Sequence, residues 1–467
     1  MRIPLISASS QQRLVGGALV LAATQLGASV LGLFRERFLN QTFPALDVVD
    51  VYISSFRLSD LLFQVCIMAG FSVALVPLLA KYHAHDQKKE MGDLLSGVTG
   101  AAALTFGIIA LIVAIIFPWI APRLVQFQSE SLDLYITFGR LALLTNFLFV
   151  FGNAFGQYLI TIQRYWVYGI TPMLYTLGTI IGTVFLSGPE QFGQLGPMVG
   201  TVGGAVLYVL FRLGAVLWSG VRWRPRFWHP DLPELIRLMI PRMAALGALQ
   251  FQLLLFDSVA SGLPPGSVTI NANARNFQSV TVGVAGIALA QSAFSLLSQS
   301  IARRELNRFW IYLRRGIVVL LVVTIPGAIA LTLLAPVAAW LVHLEHRVEV
   351  FRIALFLYAL SIPFESINHL LLRAFYAAKD SVLPAAFGVL NGATAIGVAW
   401  FLQPYLGVYA LPLGFTVGQI LEMVGLASLL PATALRCMNG ESHFRSLYNK
   451  LVRKSELPEE DNRESML

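Results

Sequence analysis

Four arginines, Arg35, Arg57, Arg140 and Arg275, lie within or at the ends of segments apolar enough to span a bilayer. A guanidinium at that depth costs about 2.5–3.5 kcal/mol even on the lenient insertion scale, so such residues face a wet interior rather than lipid. The planar fork of arginine pairs bidentately with phosphate and never loses its charge. These positions therefore point to capture of an anion inside a membrane, which is the task of a transporter.

Other polar residues share their helix faces. Asp50, Ser54, Arg57 and Gln64 recur at spacings of four, three and seven, with Asp60 three residues beyond Arg57. Asn271, Arg275 and Gln278 form a second stripe, and Gln250, Asp257 and Ser261 a third. The simplest use of three such stripes is a shared cavity. A structural reading stands beside it, in which Arg35 with Glu36, and Arg57 with Asp50 and Asp60, are neutralised pairs holding helices together. Arg275 has no acid within a helical turn. Asp257 has no basic neighbour at helical spacing, which leaves open a protonated core residue or a ligand for a coupling cation, Na+ or H+. Glu365 and Glu422, in mid-span, read as hydrogen-bonded packing residues.

The elements that must position these residues are transmembrane helices. The chain is 56% hydrophobic and 12% charged over 467 residues, against roughly 25% charged for a soluble domain, and its mean hydropathy is +0.70. Apolar stretches predict twelve spans at 14–37, 50–80, 94–117, 132–162, 166–186, 196–219, 234–262, 267–302, 309–342, 350–378, 382–403 and 406–435. With both termini cytoplasmic, the inner segments hold 24 of the 33 basic residues and the outer loops only 3, a strong positive-inside bias. Those loop cations also account for the net charge of +8 without nucleic acid. Arg212, near a cytoplasmic end, is expected to snorkel there.

The first span is too long for a signal-peptide core and reads as an uncleaved helix. Proline-rich residues 221–241 separate a six-helix lobe at 1–220 from a second at 242–435, whose first helix starts near 234, and 436–467 form a polar cytoplasmic tail. An even helix count per lobe predicts a pseudo-twofold along the membrane normal, so the fold class is an all-α polytopic membrane protein. The segments NAFGQYLITIQRYWVYGITP and NHLLLRAFYAAKDSVLP occupy equivalent places in the two halves, each with a helix end, a basic residue (Arg164 or Lys379) and a proline opening the next helix. The run GPMVGTVGGAV predicts close helix packing rather than a phosphate loop.

Enzyme motifs such as Walker A, H-E-x-x-H and the nucleophile elbow are absent. His83, His85 and Asp86 lie in a short charged loop without further ligands nearby, and Cys66 and Cys437 are far apart, so neither a metal site nor a disulfide is expected. No cofactor is expected beyond a coupling cation.

Residues Ala28 to Tyr82, ASVLGLFRERFLNQTFPALDVVDVYISSFRLSDLLFQVCIMAGFSVALVPLLAKY, resemble the opening two helices of the MurJ (MviN) family of lipid II flippases, within the multidrug/oligosaccharidyl-lipid/polysaccharide exporter superfamily. QFQLLLFDSVASGLPPGSVTINANARNF, GVAGIALAQSAFSLLSQ and RAFYAAKDSVLP fit as well. The resemblance implies two six-helix lobes in a V around a cationic cavity in a bacterial inner (plasma) membrane. It also implies a substrate, the undecaprenyl-pyrophosphate-linked peptidoglycan precursor, carried from the inner to the outer leaflet by alternating access. By motif position Arg35 and Glu36 match the family's first-helix LGxxRD block, Asp50 the acid opening the second helix, Asp257 a seventh-helix position where some members are thought to bind sodium, and Arg275 the eighth-helix arginine. The expected site is thus Arg35, Glu36, Asp50, Arg57, Asn271, Arg275 and Gln278, with pyrophosphate held by Arg35, Arg57 and Arg275.

Departures from the pattern are visible. Ala28-Ser29 stands where the family usually has S-R, and Phe63-Gln64 where arginines often follow N-L-L, so that Arg57, one turn earlier, is the candidate substitute. Two further C-terminal helices of many members have no counterpart here. The alternatives are another polyprenyl-linked glycan as cargo, or a non-transporting scaffold that recruits peptidoglycan synthesis enzymes through its cytoplasmic loops.

Overall fold

The computed structural model describes residues 8–439, and among them every regular element is a helix. The polar tail beyond 439 lies outside the described residues. The chain begins with α1 (Ala8–Thr42) and α2 (Asp47–Phe63); α2 continues through two π-helical segments, Gln64–Met68 and Phe71–Leu75, into α3 (Val76–Ala84). Next come α4 (Lys88–Leu124), α5 (Ser129–Thr161), α6 (Tyr165–Phe185), α7 (Gly196–Trp218) and α8 (Leu232–Ser261). A third π-helical segment, Val282–Ile287, joins α9 (Ser267–Thr281) to α10 (Ala288–Ala302). The remainder is α11 (Leu306–Leu333), α12 (Ala335–Leu341), α13 (Val348–Ala359), α14 (Ile362–Ala377), α15 (Val382–Leu406) and α16 (Ala410–Met438).

Ten of these helical runs, among the described residues, are long and apolar enough to cross a membrane, against the twelve spans expected. The difference has two sources. Val382–Met438 forms one run of 57 residues, although a 3-10 turn at Gly407–Tyr409, entered with Gly407 at φ 56°, divides it into α15 and α16. The other is α8, which is not among the ten and contains the apolar stretch Leu246–Ser261. The protein is an all-α integral membrane protein.

Two compact units emerge from the packing. One takes the described chain up to Ala274 together with Leu334–Ala354 and Val398–Pro412; the other takes Arg275–Leu333, Leu355–Gly397 and the described chain from Leu413. The division passes through α9 and not through residues 221–241.

In the first unit, α6 and α7 pack through glycines, as the GPMVGTVGGAV run predicts. A Cβ at Gly178 would stand 2.6 Å from the Gly200 carbonyl oxygen, and one at Gly182 would stand 2.6 Å from Gly200 Cα, so neither position has room for a side chain. Residues 221–231 form a strap along the start of α4. A Cβ at Gly97 would lie 2.8 Å from the Trp228 carbonyl oxygen, Arg224 N donates to Ser96 Oγ at 3.0 Å, and Arg226 pairs with Asp93 at 2.8 Å. At the strap's end the Tyr82 hydroxyl donates to Asp231 at 2.7 Å, which pushes the phenol up to about 12.

Arg212 does not snorkel. It is 1% exposed, and its guanidinium donates to Thr171 Oγ1 and the Gly152 carbonyl at 2.8 Å and to the Tyr168 carbonyl at 3.1 Å, between the rings of Tyr208 and Tyr168. Neutral oxygens and ring faces replace the water it would otherwise reach, and the cation ties α5, α6 and α7 together.

The second unit has a core of Leu297, Phe309, Leu313, Leu371, Phe375 and Leu426, contributed by α10, α11, α14 and α16. The two connections matched in sequence are alike in backbone. Gln163 before α6 and Lys379 before α15 both take left-handed conformations, at φ 61° and 58°. Pro384 lies in the first turn of α15, whereas Pro172 sits inside α6 rather than opening it.

Candidate functional site

In the first unit the polar stripes of α2 and α8 face each other. Arg57 Nε donates to Asp257 Oδ2 at 2.5 Å; the aspartate is 2% exposed and the arginine side chain 18%. This partner lies 200 residues away, beyond the reach of any helical-spacing argument. Asp60, one turn further along α2, accepts instead from Asn146 Nδ2 of α5 at 2.8 Å, and the same amide group donates to Ser59 Oγ at 2.7 Å. Tyr135, a buried phenol on α5, is within electrostatic range of Asp257.

Asp50 opens the α2 stripe, but its carboxylate is used by the fold. It accepts from Gly266 N at 2.7 Å, Thr269 N at 2.8 Å and Thr269 Oγ1 at 2.6 Å. Gly266 immediately precedes α9 and Thr269 lies in its first turn, where helical N–H groups have no partner within their own helix, so Asp50 acts as a cap supplied from another helix. Asn271, two residues beyond Thr269, is buried.

Arg35 Nη2 lies 2.5 Å from Glu36 Oε1, the adjacent residue, so the LFRER segment carries its own counter-charge. Just beyond, Arg37 bonds the Trp340 carbonyl and covers the Trp340 ring at 5.0 Å, while Asn40 donates to the Val342 carbonyl at 2.6 Å. These bonds tie the end of α1 to α12. Arg140 is exposed and donates from Nε to the Ala114 carbonyl of α4 at 3.0 Å.

In the second unit Arg275 lies over the Phe415 ring at 5.1 Å and within electrostatic range of Glu365. Gln278, one turn later on α9, donates from Nε2 to Glu365 Oε2 at 2.6 Å and to Ser361 Oγ at 3.1 Å. Glu365 is therefore a hydrogen-bonded packing residue. Glu422 is another, accepting from Asn391 Nδ2 at 2.6 Å.

Of the expected residues the structure brings Arg57 to Asp257 and Arg35 to Glu36 in the first unit, and sets Arg275 beside Gln278 and Glu365 in the second. Three features escaped the sequence reading: the Asn146 bridge to Asp60, the Arg212 cluster and the strap on α4. Asn146 alone left a signal, as a lone amide in the apolar run LALLTNFLFVF.

Against known proteins, the family model described as lipid II flippase MurJ matches residues 39–449. A probable lipid II flippase MurJ from Vibrio cholerae is 24% identical over 434 residues, covering 88% of this chain and 82% of its own. One from Thermotoga maritima is 25% identical over 408 residues, covering 85% and 81%. Among solved structures, a lipid II flippase MurJ in an inward closed conformation superposes with a TM-score of 0.72 at 18% identity, covering 94% of both chains. An inward-facing multidrug resistance transporter of the MATE family in the MOP superfamily gives 0.70 at 14% identity over 94% of this chain and 100% of its own.

Proposed function

Because this chain belongs to the lipid II flippase MurJ family, we propose that it carries lipid II, the undecaprenyl-pyrophosphate-linked peptidoglycan precursor, from the inner to the outer leaflet of a bacterial inner membrane. The observation that carries this reading is the family match, which runs from the end of α1 through α16. The excess of basic residues in alternate loops supports cytoplasmic termini, so that cargo is loaded from the side on which the precursor is made.

The pyrophosphate is the part of the cargo that a membrane interior resists most, and arginine is the residue suited to it. In the first unit Arg35 and Arg57 are the candidate contacts, each beside a carboxylate; a guanidinium carries five N–H donors, so one arginine can meet a carboxylate and a phosphate oxygen together. In the second unit Arg275 is the candidate, its guanidinium set over an aromatic face. The carboxylates beside Arg35 and Arg57 keep those cations balanced while no cargo is bound. A membrane potential supplies about 2.3 kcal/mol per charge per 100 mV to any step that moves net charge across the bilayer.

The test is complementation in bacteria whose own lipid II flippase is switched off, with surface lipid II quantified by an externally added probe. Restored surface lipid II that is lost again with Arg275→Ala, at unchanged membrane abundance, is the expected result. Near-normal transport by Arg275→Ala would remove that residue from the site. Absence of restoration by the abundant wild-type chain would move the cargo to a different polyprenyl-linked glycan.

A further inference from the structure

We propose that Arg57 is a tethered counter-ion at Asp257, filling the position that a mobile monovalent cation would otherwise occupy, so that this carboxylate binds no exchangeable Na+ or H+. The inference concerns the coupling cation and is independent of which lipid is carried.

Asp257 is almost completely buried within the apolar stretch Leu246–Ser261 of α8, where a carboxylate needs either a proton or an opposite charge in contact. The contact charge here is Arg57 Nε at 2.5 Å, delivered from α2, and a guanidinium does not deprotonate in proteins. It therefore behaves as a cation that cannot dissociate. Among the described residues, the other carboxylates in electrostatic range of the pair are already engaged. Asp50 is committed to three donors from residues 266 and 269, Asp60 accepts from Asn146, and Tyr135 presents a single buried phenol. A sodium ion arriving at Asp257 would meet the fixed positive charge of Arg57 and would have to displace it.

Replacement of the arginine by a neutral side chain of similar length should turn this carboxylate into a cation site. The experiment follows thermal unfolding of the purified full chain in detergent, in one arm with Na+ titrated against choline at fixed pH, and in the other with pH lowered in choline alone. The wild type should show no saturable Na+-dependent rise in Tm. Arg57→Met should gain a rise of several degrees with Na+ or with acid, the arm that responds identifying the ion taken up, and Arg57→Met/Asp257→Asn should lose it. A saturable Na+ response in the wild type that disappears in Asp257→Asn would overturn the proposal. So would an Arg57→Met protein that is folded yet indifferent to both ions. Should Arg57→Met fail to fold, radiosodium binding by the wild type decides: a saturable signal abolished by Asp257→Asn refutes the tethered counter-ion, and binding no greater than that of Asp257→Asn upholds it.

Discussion

The helices α2 and α9, one opening each half of the pattern of polar stripes, carry the same device with different counterparts. In both, an arginine precedes a π-helical segment by seven residues, Arg57 before Gln64 and Arg275 before Val282. Each π-helical region contains or flanks a glycine pressed against a neighbouring helix: Gly70 against Met239 and Leu235 of α8, Gly286 against Ser366 of α14. A π-helical turn holds an extra residue and re-aims every side chain after it, which recurs at functional positions. The arginines differ in what meets them. Arg57 touches a carboxylate at 2.5 Å, whereas Arg275 lies over the Phe415 ring at 5.1 Å with Glu365 in electrostatic range. An ion pair cancels charge, while a ring face attracts a cation and leaves its charge intact. The two arginines thus differ in the contacts they show, a carboxylate of another helix for Arg57 and a ring face with a carboxylate in range for Arg275.

Breaking the ion pair should have the largest effect on stability. At neutral pH without added salt, Arg57→Met strands a buried carboxylate and should cost about 3–5 kcal/mol, while the paired change Arg57→Met/Asp257→Leu should recover most of it. A double-mutant cycle on denaturant or thermal unfolding measures the coupling, and additive losses would place the energy elsewhere. The glycines should come next. Gly286→Ala drives a Cβ to 2.5 Å from Ser366 Oγ and 2.9 Å from its Cβ, rigid parts of a short side chain, and should cost about 1–3 kcal/mol. Gly70→Ala meets chiefly the flexible tip of Met239 at 2.8 Å and should cost less, so equal losses would erase this difference between the π-helical regions. The ring contact of Arg275 should count least, with Arg275→Met losing about 1 kcal/mol from that contact. A loss of transport far out of proportion to that figure would sharpen the contrast with Arg57.

Much of this architecture is legible in one dimension. The apolar runs, the glycine interface of α6 and α7 and the packing roles of Glu365 and Glu422 all follow from composition and spacing. The stripe containing Arg57, Asp50 and Asp60 is legible too, but its internal pairing is not what forms. Asp50 turns to the amides of α9 and Asp60 to Asn146, leaving Arg57 to Asp257. Helical spacing reports only neighbours on the same helix, and buried polar groups choose partners by proximity across helices. Arg212 shows the same limit. Its place near a helix end suggested water, and the tight packing of α5, α6 and α7 instead surrounds it with carbonyl oxygens and tyrosine rings.

The sequence by itself determined that the chain is an all-helical membrane protein, which residues lie at membrane depth and which family motifs it carries, because hydrophobic length and charge bias act along the chain. Only the tertiary structure decided which charges neutralise each other, where α2 and α9 depart from regular α-helix, and which linker residues lie against α4. Those outcomes depend on which helix faces come into contact, and a carboxylate 200 residues away weighs as much in a low-dielectric interior as one on the next turn.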